Sequence, residues 1–193
     1  MRKVTLFVLI ILLGWTGISY PAADQGPRNK VILLISEQNI EGPKAAWWAS
    51  EVDLSASEAA IAKKLLEQGY RVLEPSVVNQ IVKKDKAFRM VDMGEGQSIE
   101  LAKLAKADFV VAGKAVASAG GMVPSSNMRS CFGNLTVKVI SVKEGEVLAY
   151  LDATGSSVHT DVITGGKEAL VKSAESMAQK IADVLNKEQK AGK

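Results

Sequence analysis

The chain is short of the residues that most often carry chemistry: among 193 residues there is one cysteine, Cys131, and one histidine, His159. A lone thiol forms no internal disulfide and supplies no cysteine-based zinc site. A lone imidazole leaves a metal dependent on carboxylates, and the only one near His159 in sequence is Asp161. There is no Gly-x-Ser-x-Gly elbow and no Walker-type phosphate loop, and Gly94-Glu95-Gly96 is only a fragment of a dinucleotide fingerprint. Neither sign of charge dominates: Lys and Arg number 24 against 21 Asp and Glu, a net charge of +3 that falls by two, to +1, without Arg2 and Lys3. Nucleic acid needs a clustered basic face to neutralise phosphates, so it is not an expected partner. Past Ala23 no apolar run approaches the roughly 20 residues a membrane span requires.

What is present begins with an address. Arg2 and Lys3 precede the apolar run Val4–Leu13 (VTLFVLIILL), and Pro21-Ala22-Ala23 supplies small residues. That order is the pattern of a secretory signal peptide over residues 1–23, with an uncleaved anchor as the rival reading. No cysteine follows the run, so the expectation is a periplasmic protein without a lipid anchor, touching a membrane only through an uncleaved amino-terminal segment. Residues 24–29 form a polar leader, 30–187 a single domain and 188–193 a polar, disordered tail.

Within the domain, Lys30–Ile35 (KVILLI) has the continuous β-branched and apolar character of a strand buried on both faces. A helix follows over 51–68. Ser55 and Glu58 stand at capping-box spacing, so either Asp53 or Ser55 is the expected cap, and Gly69 falls where a left-handed C-terminal cap is wanted. Tyr70–Leu73 fits a second strand, parallel to the first because a helix crosses between them. Pro75 opens a short helix, Lys83–Gly96 is a charged loop, Ser98–Lys106 a third helix and Asp108–Ala117 a third strand. Ser118–Asn127 has the composition of an exposed loop. Arg129–Val142 and Glu146–Val158 then alternate as a long antiparallel pair, with Gly145 placed for the positive φ of the turn. The last helix spans 164–187, with Leu170, Ala174, Met177, Ile181 and Val184 along one face. The expected fold is α/β (α+β): a single mixed sheet of about five strands with helices packed on it, in the order β-α-β-α-α-β-β-β-α.

Three segments resemble one group of bacterial envelope domains. Leu104–Gly113 (LAKADFVVAG) is similar to a segment shared by the curli-secretion protein CsgG, the middle domain of flagellar assembly protein T and relatives of the amino-terminal domain of TolB. Val137–Leu148 (VKVISVKEGEVL) resembles the strand, turn and strand of that group, and the alanine-rich terminal helix resembles its last helix. The resemblance implies a non-enzymatic part in assembly, secretion or a motility structure. It implies envelope proteins as partners, with self-association into a ring among the arrangements, and no cofactor. It carries no catalytic residue, and the chain lacks that group's lipid-attachment cysteine and paired transmembrane hairpins.

Candidate contact residues are therefore few. Trp47 and Trp48 follow Gly42-Pro43 in a loop and suit either a partner anchor or a staple over the first helix. Met122 and Val123 sit near the tip of the Gly120–Asn127 loop. Gly165 and Gly166 precede the last helix, where free N–H groups would face an anion. No catalytic residue and no metal ligand is expected. The competing readings are a periplasmic hydrolase pairing a serine or Cys131 with His159, and a small-ligand or glycan binder using the tryptophans.

Overall fold

Five strands share one mixed sheet in the order β2-β1-β3-β4-β5. The computed structural model describes residues 29–40, 55–73, 77, 78, 80, 81 and 94–191. In chain order the elements are β1 (Lys30–Gln38), α1 (Ala56–Glu67), β2 (Arg71–Val72), α2 (Glu95–Leu104), β3 (Phe109–Met122), β4 (Arg129–Ser141), β5 (Glu146–His159) and α3 (Val162–Ala191). Residues 77, 78, 80 and 81 are helical, in the place expected for a short helix after Pro75. β1 runs parallel to both β2 and β3, while β3, β4 and β5 form an antiparallel meander. This is the mixed sheet and the element order expected from the sequence.

The local signals explain the elements. Ser55 caps α1, its hydroxyl accepting the Glu58 N–H while the Glu58 carboxylate accepts the Ser55 N–H. Both α1 and α2 end in the same motif. After α1, the Gly69 N–H donates to Leu66 O and the Tyr70 N–H to Leu65 O. After α2, the Lys106 N–H donates to Lys103 O and the Ala107 N–H to Ala102 O. The pivot of this motif is left-handed, at φ 90° in Gly69 and 56° in Lys106.

α1 and α3 cover one face of the sheet. Ile61 and Leu65 of α1, with Leu170, Met177, Ile181 and Leu185 of α3, pack on Val31, Leu33, Ile35, Val111, Leu135, Val137 and Val139. The described residues cover the other face over one half only. There Leu101, Ala102 and Val78 close on Ile32, Leu34, Val110, Ala112 and Ile140. Val31–Ser36 is consequently buried throughout, as a two-sided strand should be. α3 lies very close to the sheet where Gly133 pairs with Gly155: a Cβ at either would run into the α3 backbone at Ala169.

Several boundaries differ from the sequence reading, two of them by four residues or more at the ends of β3 and α3. Ser118–Asn127 is not an open loop, because β3 continues to Met122 by pairing Ser118 with Phe132 and Ala119 with Cys131. Weak intrinsic β preference is overridden by a full partner strand. The register shift between Ala119 and Met122 absorbs Gly120 and Gly121. At the other end, α3 runs to Ala191, into residues expected to form a polar tail.

Candidate interaction surface

The half of the sheet that α2 leaves bare presents three cross-strand rows. Val116, Asn134 and Thr154 form one, Ser118, Phe132 and Ser156 the next, and Ser130 pairs with Val158 beyond them. Phe132 is 44% exposed and Val158 48%, although Phe132 is paired on both sides, four residues into β4, and Val158 pairs with Ser130 next to the end of β5. The Phe132 ring lies over Gly120, where a side chain would collide with it. Tyr150 and Met122 are also exposed. Polar neighbours surround these side chains, and Thr136 donates its hydroxyl to Asp152 Oδ1 at 2.7 Å. Large apolar groups at adjoining positions on a sheet face, rimmed by small polar ones, have the composition of a protein-contact surface.

The two edges of the sheet are finished differently. β2 is only two residues long, so beyond Val31 no strand among the described residues flanks that side of β1. There the Ile35 N–H donates to Glu58 Oε1 at 3.0 Å, and Glu37 Oε2 accepts the Ser57 N–H at 2.8 Å. Burial pushes the Glu58 carboxyl up from 4.5 to about 7; the hydrogen bonds from Ile35 and Ser55 oppose the rise, and the charge of Glu37 adds to it. At the far side, no strand among the described residues lies beyond the 14 residues of β5. Two of its outward carbonyls accept lysines from α3: Lys172 Nζ reaches Ser156 O at 3.0 Å, and Lys180 Nζ reaches Asp152 O at 2.5 Å.

The residues singled out in the sequence are scattered. Trp47 and Trp48 lie outside the described residues. Met122 ends β3, and Val123 opens the hairpin turn, its N–H donating to Met128 O and its C=O accepting the Ser126 N–H. Cys131, Ser157 and His159 do meet, at the start of α3 beside Gly165. The thiol is nonetheless fully buried, with Sγ 3.9 Å from both Arg129 O and Val162 O. Ser157 Oγ donates to Gly165 O at 2.6 Å, and His159 Nδ1 stands 2.9 Å from both the N–H and the C=O of Asp161. No thiol is presented to a substrate and no imidazole faces it as a base.

Gly165 and Gly166 lie inside α3 rather than ahead of it, and the Gly165 N–H is already bonded to Asp161 O. A side chain on Gly165 would strike Cys131, and one on Gly166 would strike Asn39 and Ile40. The helix start is occupied by Asp161, whose Oδ2 accepts the Thr164 hydroxyl at 2.5 Å and the Thr164 N–H at 2.8 Å. The Thr164 hydroxyl is the main reason this carboxyl is held below its usual range. Among the described residues no group of three or more His, Cys, Asp and Glu is placed to hold a metal ion, and no helix is long and apolar enough to cross a membrane.

No family model matches the chain, and no curated protein matches it. Solved structures align with much of the chain at low identity. A hypothetical protein from Chlamydia trachomatis is 13% identical, over 82% of this chain and 95% of that one, with a TM-score of 0.47. A lipoprotein, GNA1162, from Neisseria meningitidis is 15% identical, over 81% and 99%, with a TM-score of 0.44. A putative lipoprotein from Caulobacter crescentus is 10% identical, over 83% and 92%, with a TM-score of 0.39. These are likenesses of fold to bacterial proteins, and none of the three is described as a TolB, CsgG or flagellar protein. They correct one expectation. Two of them are lipoproteins by description, so the expectation of a periplasmic protein with no lipid anchor is withdrawn. It rested only on where cysteine stands in the present sequence.

Proposed function

We propose that this chain is a non-catalytic accessory protein of the bacterial cell envelope that works by binding other envelope proteins across the open half of its sheet. The observation that carries this reading is the exposed pair Phe132 and Val158 on a sheet face that no described element covers. The signal-like residues 1–23 support the envelope setting, and the sealed thiol of Cys131 removes the support for a cysteine hydrolase. A part in secretion or in building flagellar or other surface structures is the finer form of the proposal. It rests on the resemblance carried by LAKADFVVAG and VKVISVKEGEVL.

The test is a photo-cross-linking residue placed at Phe132 or Val158 in cells, followed by envelope fractionation. Defined adducts to an envelope protein are expected, and they should be lost in a Val158→Asp variant carrying the cross-linker at Phe132. Because Val158 is half exposed, that change spares the fold. Adducts unaffected by it, or a chain recovered only from the cytosol, would remove the proposal.

A further inference from the structure

We infer that the outer edge of β5 is a docking rail for an extended, acidic segment of a partner protein, which displaces Lys172 and Lys180 from the strand and pairs its carboxylates with them. The inference rests on the association proposed above and names the chemistry of its partner.

The outward backbone groups of β5 define the rail. Lys180 takes Asp152 O and Lys172 takes Ser156 O, so these carbonyls point away from β4. Backbone groups alternate sides along a strand, which places those of Thr154 and Val158 on the same outward edge. Residues 153–158 (ATGSSV) include no charge and no proline, the usual devices for blocking a free edge. The guard is supplied from α3 instead, by flexible side chains that can leave. Both lysines are exposed, and each bonds a neutral carbonyl rather than a carboxylate.

The spacing selects the occupant. Eight steps along the helix rise about 12 Å, and the four strand steps from Asp152 to Ser156 span about 13 Å, so the lysines keep step with β5. An added strand would take over the two carbonyls and leave both ammonium groups beside its own α3-facing side chains. Acidic residues four positions apart on that face would meet them. Asp152 does not compete, because its carboxylate is held by Thr136. A second copy of this chain is a poor occupant. Antiparallel pairing of two β5 edges would set four lysines against one another on the same face, and like charges opposed across a sheet are repelled.

The experiment uses the full chain and two blocked ten-residue peptides of alternating threonine and valine. One has glutamates at two same-face positions four apart, and the other has lysines there. Calorimetry should show the glutamate peptide binding at least tenfold more tightly, about the factor two exposed ion pairs supply. Amide exchange should slow at Thr154, Ser156 and Val158. A Lys172→Gln, Lys180→Gln variant should lose the preference. Thr154→Pro, which removes an outward N–H and no bond to β4, should lose binding of both peptides. Equal binding of the two peptides, or protection elsewhere, overturns the inference. If neither peptide binds while the Phe132 cross-links persist, the rail is wrong and the broader association stands.

Discussion

The sharpest consequence of the structure concerns Glu58 and pH. Its carboxylate is 5% exposed, bonded to the N–H groups of Ile35 and Ser55, and pushed up to about 7 by burial. In the unfolded chain the same group titrates near the ordinary 4.5. Between these values the folded state binds more protons than the unfolded one, so stability must fall as pH rises. The full effect is about 2.5 units times 1.36, or about 3 kcal/mol, most of it developed between pH 5 and 7. Other groups titrate in that interval too, so the variant Glu58→Gln is the control. Glutamine keeps an acceptor for Ile35, loses the acceptor for Ser55 and has no charge to desolvate. Urea unfolding of both proteins at pH 5, 6, 7 and 8 isolates the difference. At pH 5 the wild type should be the more stable by about 1 kcal/mol, the worth of the lost capping bond. By pH 8 the gap should have moved in favour of the variant by about 2–3 kcal/mol. A gap constant to within about 0.5 kcal/mol, or one moving the other way, would refute burial as the dominant influence on Glu58.

Further outcomes follow from packing and backbone geometry. The two helix ends with the same hydrogen bonds should respond with opposite signs: Gly69→Ala lowers stability by about 1 kcal/mol, whereas Lys106→Gly raises it by about 0.5–1 kcal/mol, both read by urea unfolding. Gly133→Ala should cost about 1–3 kcal/mol in the same assay, because its Cβ would press on the backbone of α3 at Ala169. The Cys131 thiol should resist a thiol reagent in the native protein and react at once in denaturant; native labelling at the rate of an exposed cysteine would show that the start of α3 opens.

Much of this architecture could be read ahead of the structure because its signals are local. Ser55 and Glu58 announce a helix start by their spacing, Gly69 marks the end of the same helix, and Leu135, Val137 and Val139 alternate with the pleat. What escaped depends on neighbours distant in sequence. Ser118 and Ala119 are strand residues only because Phe132 and Cys131 stand opposite. Phe132 reads as one more strand aromatic until the extent of α2 shows that nothing described covers it. Lys172 and Lys180 look like ordinary solvated charges on α3, since their partners are backbone carbonyls 16 and 28 residues away. The capping-box spacing also concealed half of the work of Glu58, because the bond to Ile35 depends on where α1 lands on the sheet. Gly165 and Gly166 show the reverse error. A glycine pair near a helix start suggests open N–H groups, but in the fold it lets the helix settle onto Cys131 and Asn39.

The contrast between the two sheet edges indicates where association should occur. At β1 the outward N–H of Ile35 is satisfied by a buried carboxylate that also belongs to the cap of α1. Displacing Glu58 would strand a polar group in a nearly dry site and unfasten a helix, a cost of several kcal/mol that an incoming strand would have to recover first. At β5 the carbonyls of Asp152 and Ser156 are held by exposed ammonium groups, for which water is an almost equal partner. Exchange there costs little, and the adjoining bare face with Phe132 and Val158 adds apolar area to whatever pairs with the strand. One edge is therefore a structural seal and the other a removable guard, and a partner that binds by adding a strand should choose β5. Changes at the β1 edge should act through stability, whereas changes at Lys172, Lys180 or Thr154 should act through binding at unchanged stability.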